Sequence, residues 1–191
     1  MRSLLILFIS AIALVGCKQE AALTGANFDT TGFESTSLGD GIFLLTKTDG
    51  SGLVVEQGIV RDGMKNGMWV TFNEKGVVSQ VSSFVNGLES GARMEFSNTG
   101  QMEKKTTYIA NVLDGSFGEY KFGKPIKEAE YKDGQLNGPY KEYFKNKGAL
   151  QKLVEFKNGK QDGKMQYYDE EGKVTLEYTY KNGEKVDGGL N

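Results

Sequence analysis

A glycine-anchored unit of about 24 residues recurs from Gly41 onward, and no other feature of this sequence constrains its fold as strongly. The plainest copy reads Gly138-Pro139-Tyr140-Lys141-Glu142-Tyr143, then Gly148, then Phe156-Lys157-Asn158-Gly159, and the next unit opens at Gly163. The same skeleton appears as Gly67, Trp69, Phe72, Gly76, Phe84 and Gly87, and again as Gly91, Phe96, Gly100 and Tyr108. Opening glycines at 67, 91, 115, 138, 163 and 188 lie 23 to 25 residues apart. A fixed period of this length marks a repeat architecture, in which each unit is one supersecondary element that cannot bury its apolar face without neighbours. Function is therefore sought on a repetitive surface.

Turn chemistry identifies the unit. Twelve of the 26 glycines follow Asn or Asp, a dipeptide favoured where consecutive residues take positive φ in tight hairpin turns. They come in close pairs, such as Asp62-Gly63 with Asn66-Gly67 and Asn158-Gly159 with Asp162-Gly163, and each pair is read as a connection between hairpins. Between turns the residues alternate as strands do: Val174, Leu176, Tyr178 and Tyr180 share one face, and Leu150, Lys152, Val154 and Phe156 the corresponding face one unit earlier. Trp69 and Phe72, like Tyr140 and Tyr143, are three apart, so either a bulge intervenes or aromatics occupy both faces. Helical periodicity is not sustained after residue 17, and a Gly or Asx every few residues would cost a helix heavily. The expected fold is all-β: tandem hairpins in an extended single-layer antiparallel sheet, about twelve strands and some 55 Å long at about 4.8 Å per strand.

The pattern Gly-x-[Trp/Tyr/Phe]-x-x-[Tyr/Phe], a Gly turn, then [Phe/Tyr]-Lys-Asn-Gly resembles the bacterial variant of the MORN repeat (membrane occupation and recognition nexus), an antitoxin-labelled repeat family. The resemblance is close from Gly63 to Gly91 and from Tyr131 to Gly183 and weaker elsewhere. In the unit from Gly115 the turn at Gly123 arrives early and Pro125 follows it, which indicates an edge or bulge there. The unit from Gly41 has Thr46 and Val60 where others have aromatics, as a capping repeat does. The resemblance implies a scaffold or recognition module without catalysis.

At the other end, Arg2 precedes an apolar run from Leu4 to Val15 that leads into Gly16-Cys17. Twelve residues at about 1.5 Å each fall short of a hydrocarbon layer roughly 30 Å thick, so the run reads as a secretory signal. Leu14-Val15-Gly16-Cys17 resembles the lipobox of bacterial lipoproteins, which implies lipidation of Cys17, cleavage just before it and membrane anchoring. The expected organisation is a lipoprotein signal peptide at 1–16, lipidated Cys17 and a flexible tether through residue 40, the hairpin repeat domain at 41–188, and a tail at 189–191. The tether reading rests on the Ala, Gly, Ser and Thr content of Lys18 to Asp40, with only Phe28 and Phe33 to bury. Lys18 is not the Asp that resembles an inner-membrane retention signal in enteric bacteria, so the expected location is the cell envelope, with the outer membrane favoured in a diderm host.

Composition excludes several chemistries. Cys17 is the only cysteine and histidine is absent, which removes disulfides, the commonest general base and His-containing zinc sites. With 23 basic and 25 acidic residues interleaved, the chain has no nucleic-acid footprint. Asp169-Glu170-Glu171 offers clustered carboxylates of the type used on glycosides, but in a predicted turn where solvated charge is the ordinary outcome. No cofactor or metal is expected, and no catalysis. The expected role is a membrane-anchored protein-binding scaffold whose contact surface draws on Trp69, Phe72, Phe96, Tyr120, Tyr140, Tyr143, Tyr167 and Tyr168 beside lysines such as Lys141 and Lys164. The alternatives are an antitoxin or immunity-like protein neutralising a toxin, and binding of envelope carbohydrate.

Overall fold

The computed structural model describes residues 25–190. They form one open antiparallel sheet of 15 strands in which sequence neighbours are spatial neighbours. The strands are β1 (Glu34–Gly39), β2 (Ile42–Thr48), β3 (Val54–Arg61), β4 (Met64–Phe72), β5 (Val78–Val85), β6 (Leu88–Glu89), β7 (Gly91–Phe96), β8 (Met102–Ile109) and β9 (Val112–Lys121), followed by β10 (Lys124–Lys132), β11 (Gln135–Tyr143), β12 (Leu150–Lys157), β13 (Lys160–Tyr168), β14 (Val174–Lys181) and β15 (Glu184–Leu190). Both β6 and β7 pair with β5, as two halves of one strand broken at Ser90. The all-β, single-layer expectation holds, with more strands than the repeat count gave.

The two long margins of the sheet are built from different turns. Along one run two-residue turns, including Asp62-Gly63, Asn86-Gly87, Asp133-Gly134, Asn158-Gly159 and Asn182-Gly183, with both residues at positive φ as a right-twisted hairpin requires. Along the other run longer loops in which the side chain of Asp49, Asn73, Ser97 or Asp169 accepts backbone N–H bonds from the residues two and four positions on. One hairpin departs from this: β9 and β10 are joined on the long-loop margin by Phe122-Gly123 alone, which places a phenylalanine at φ 52. The register shift between Pro125 and Lys127 supplies the expected bulge beside the proline.

The paired Asx-Gly dipeptides are not both turns. The first of each pair is the short turn; the second lies inside the following strand, at a register shift where Gly138 takes φ 127 and Gly163 φ 122. The Asx before that glycine reaches across to the next short turn. Asp114 accepts the Asp133 N–H at 3.1 Å, Asn137 the Asn158 N–H at 3.1 Å, and Asp162 the Asn182 N–H at 3.1 Å. The turn glycine itself donates to the unit before it, Gly87 to Lys65, Gly134 to Leu113, Gly159 to Leu136 and Gly183 to Gln161, each at 2.8 Å. Successive turns are thus bonded into a stack.

Trp69 and Phe72 face opposite sides, so aromatics do occupy both faces. On the face bearing Trp69, here the front, cross-strand partners form one transverse row: Leu45, Gly58, Trp69 and Ser82, then Arg93, Thr106, Phe117, Ala129, Tyr140, Val154, Met165 and Tyr178. Bulky residues alternate with small ones, and the small ones are buried: Ser82 is 2% exposed, Thr106 3% and Ala129 3%. A ring lying over a small neighbour excludes water without a second layer. Trp69 is the extreme case, 3% exposed above Gly58, with its indole N–H donating to the Ile59 carbonyl at 2.9 Å. On either side of this row the front face differs. Toward the short turns an aromatic stands opposite each in-strand glycine: Phe84 and Gly67, Tyr108 and Gly91, Tyr131 and Gly115, Phe156 and Gly138, Tyr180 and Gly163. Toward the long loops, charges alternate across Glu95, Lys104, Glu119, Lys127, Glu142 and Lys152.

Three expectations change. Residues 25–40 are not a free tether: Glu34–Gly39 pair with β2, and Phe28 and Phe33 pack on the Leu45–Val60–Trp69 core. Two phenylalanines suffice because a ready-made apolar surface receives them. Residues 189–190 belong to β15 rather than to a tail. The register shifts before Tyr143 and Tyr168 set Leu150 and Val174 opposite those tyrosines, off the face shared by their expected companions. Residues 1–24, including the signal run and Cys17, lie outside the described residues.

A Cβ on Gly58 would overlap the Trp69 ring. Gly58→Ala is expected to cost about 2 kcal/mol as the ring is displaced, read as a lower urea midpoint and a red-shifted Trp69 emission. The Thr106 hydroxyl is buried without a partner among the described residues. Thr106→Val is expected to stabilise the chain by about 1 kcal/mol in the same measurement.

Candidate functional site

The eight residues expected to form a contact surface are divided between the faces. Trp69 is withdrawn from any surface: the rings of Phe28 and Phe33 stand edge-on to it at 4.9 and 6.1 Å, and the Lys65 ammonium lies 3.9 Å from its ring centre. Tyr140 and Tyr167 are also on the front, opposite Val154 and Lys152. Phe72, Phe96, Tyr120, Tyr143 and Tyr168 share the back, one per unit near the long-loop margin, opposite Val78, Met102, Pro125, Leu150 and Val174. All five are half-buried and form a stripe of rings and aliphatics along the ladder.

Polar groups beside this stripe are paired. Tyr143 donates its phenol to Glu128, Tyr168 to the Gln166 side-chain carbonyl at 2.8 Å, and Tyr140 on the front to Glu142 at 2.6 Å. Burial first, and the carboxylate partner second, push the Tyr140 and Tyr143 phenols well above their ordinary range. They are neutral hydrogen-bond donors near neutral pH. A shallow depression of about 250 Å³ lies over Gly118, bounded by Lys105, Tyr120, Glu128 and Lys141. The Tyr120 ring fills the space a side chain on Gly118 would need. The carboxylates of Asp169-Glu170-Glu171 serve the loop: Asp169 accepts its N–H bonds, and Glu170 pairs with Lys147 at 2.6 Å.

Four residues outside the expected set shape the front surface: Phe28 and Phe33, which strap its first units, and Tyr131 and Phe156, which flank Phe117 and Tyr140 at 6.0 and 6.1 Å. Their signal in the sequence is positional. Each of Phe84, Tyr108, Tyr131 and Phe156 stands two residues before a short turn and two after a small or intermediate residue of the middle row, Ser82, Thr106, Ala129 or Val154.

These features define an open β-ladder protein, built of repeats and enclosing no interior between layers. Residues 161–182 match the family model described as a MORN repeat variant. That span covers most of β13 and β14 and ends at the short turn, so this one unit of the ladder is similar to a MORN-type repeat. No curated protein matches the chain.

The two aspartates among the groups that bind successive turns titrate in a predictable sense. Hydrogen bonding first to Lys132 and then to the Asp133 N–H holds Asp114 below the usual carboxylate range, and Lys181 with the Asn182 N–H does so for Asp162. A lowered folded-state pKa contributes stability above the ordinary carboxylate value, and it is lost as pH falls through the lowered one. The thermal midpoint is therefore expected to drop below about pH 4. Asp162→Asn, which copies Asn137 of the preceding unit, is expected to show a smaller drop over the same range; an equal drop would place the titration elsewhere.

Proposed function

We propose that this chain is an exported lipoprotein, held to a membrane of the cell envelope by lipid on Cys17, whose ladder is a non-catalytic scaffold for binding protein. The observation that carries the binding half is the open sheet: two broad faces, each with regularly spaced aromatics among paired charges. Such surfaces offer rigid rings as anchors and polar rims for orientation. The MORN-type unit at 161–182 supports a recognition module in general terms. The pairing of the carboxylates and phenols with structural partners supports the absence of a catalytic task.

The anchoring half rests on Leu14-Val15-Gly16-Cys17. Two or three acyl chains, at about 0.8 kcal/mol per buried methylene, hold a protein to a bilayer that one chain would not. Confinement to a membrane face raises the effective concentration of the ladder for partners in the same compartment. The first described residue, Gly25, bonds to the Asn86 carbonyl at 2.7 Å, so the chain joins the sheet at its short-turn margin.

Cys17→Ser is expected to move the protein from the membrane to the soluble fraction of the envelope; retention in the membrane after signal cleavage would overturn the anchor. Affinity purification of the tagged, lipidated chain from native envelopes is expected to retain one stoichiometric protein, read by mass spectrometry. A retained toxin would recast the scaffold as an immunity protein, and bound glycan alone would overturn the protein-binding reading.

A further inference from the structure

We infer that the front face beyond the strap is a docking lane for an extended peptide bearing an aromatic or large aliphatic residue at every third position. This rests on the protein-binding reading above and names the chemistry of the partner. The lane repeats, two units further along the sheet, the register of an interface the protein makes with itself. Phe28 stands edge-on to Trp69 with the Lys65 ammonium 4.5 Å from its ring centre, and Phe84 packs on the same core 5.3 Å from that ammonium. The register places Leu113, Phe117 and Tyr131 in the corresponding positions of the third such unit, and Leu136, Tyr140 and Phe156 in those of the fourth. Among the described residues the Phe117–Tyr131 and Tyr140–Phe156 pairs stand edge-on to one another with no third ring against them, whereas Trp69 receives Phe28.

The strap also shows the step that an occupant takes. The Phe28 N–H donates to the Gly63 carbonyl at 2.8 Å and the Gly25 N–H to the Asn86 carbonyl at 2.7 Å. Three residues therefore carry it from one short turn to the next, two strands and about 9.6 Å away. A polyproline-type chain advances about 3.1 Å per residue with three residues per turn, so positions three apart point the same way about 9.3 Å apart. Its spacing matches that of the short turns. Beyond the strap, the carbonyls of Gly134 and Gly159 hold the turn position of Gly63, which receives the Phe28 N–H, and accept no turn or loop backbone hydrogen bond among the described residues.

The second unit marks the limit of the lane. There Arg93 replaces the ring and Glu89 the residue before it, joined by two bonds of 2.8 and 2.6 Å, with the guanidinium 5.1 Å from the Tyr108 ring centre. This pair fills the position that is apolar in the third and fourth units.

The test uses the full chain and a fluorescein-labelled synthetic peptide in which two phenylalanines are separated by two small polar residues, followed by anisotropy. Saturable binding is expected, weakened about fivefold or more when the Arg–Glu pair is transplanted into the third unit by Leu113→Glu with Phe117→Arg. The second unit already tolerates that pair, and a thermal melt verifies folding. A peptide with its phenylalanines adjacent is expected to lose the same affinity, a readout independent of any variant's stability. Trp69, the only tryptophan, lies under the strap, and its emission is expected to stay constant on binding. Absence of saturable binding, indifference to spacing, or a Trp69 shift that tracks occupancy would overturn the lane. Binding that appears only once residues 18–24 are deleted would assign it to the chain's own leading segment. A partner still recovered from native envelopes in any of these cases leaves the scaffold reading standing.

Discussion

A single-layer sheet has no opposing layer to bury its side chains, and this protein meets that constraint by laying large side chains over small ones on neighbouring strands. Trp69 over Gly58, and Phe117 and Tyr140 flanking Ala129, make the middle row of the front face dry at a thickness of one sheet. The arrangement works only if strands keep their register, because a slip of one residue would move every ring to the opposite face. Register in turn depends on the short turns, whose positive φ angles and turn-to-turn hydrogen bonds repeat in unit after unit. Packing and turn chemistry thus enforce one another.

The same constraint explains why the aromatics are split between faces. Three-residue spacing places one ring of each unit in the dry front row and the other on the back, near the long loops. Surfaces for recognition follow from what each row leaves uncovered. On the front, Tyr131 and Phe156 stand beside the middle row, and the alternating Glu–Lys row beyond it is neutral overall. Ion pairs in that row, such as Lys127 with Glu119 at 3.6 Å, add little stability individually, since exposed pairs contribute about 0.5 kcal/mol. Their consequence is a polar rim with no net attraction for either sign of charge.

Much of the architecture was legible in the sequence because its causes are local. Asp-Gly and Asn-Gly turns at a constant period leave few options other than hairpins. What escaped was non-local. The second Asx-Gly of each pair has the composition of a turn but works as a bulge, because its Asx is needed by the turn that follows one unit later. Phe28 and Phe33 looked like isolated residues in a small polar segment; only the assembled sheet presents the Leu45–Val60–Trp69 surface that holds them. Trp69 carried every sign of a contact residue, and the strap over it could not be read from its own neighbourhood. Phe72, Phe96, Tyr120, Tyr143 and Tyr168 were expected on one surface with Trp69, Tyr140 and Tyr167; that the five share the back and the other three the front required the register.

Apart from β6 and β7, which share β5 as two halves of one strand, strands adjacent in the chain pair with one another. A ribosome releases the N-terminus first, so such a sheet can be assembled in the order of synthesis, each hairpin finding its template already in place. Loop closure never spans more than a unit, which favours rapid folding. The strap is the exception: Phe28 is made early, yet its seat on Trp69 exists only after β4 has arrived. The earliest part of the described chain is therefore locked only once the first five strands are in place, as a latch that closes on the finished end of the ladder.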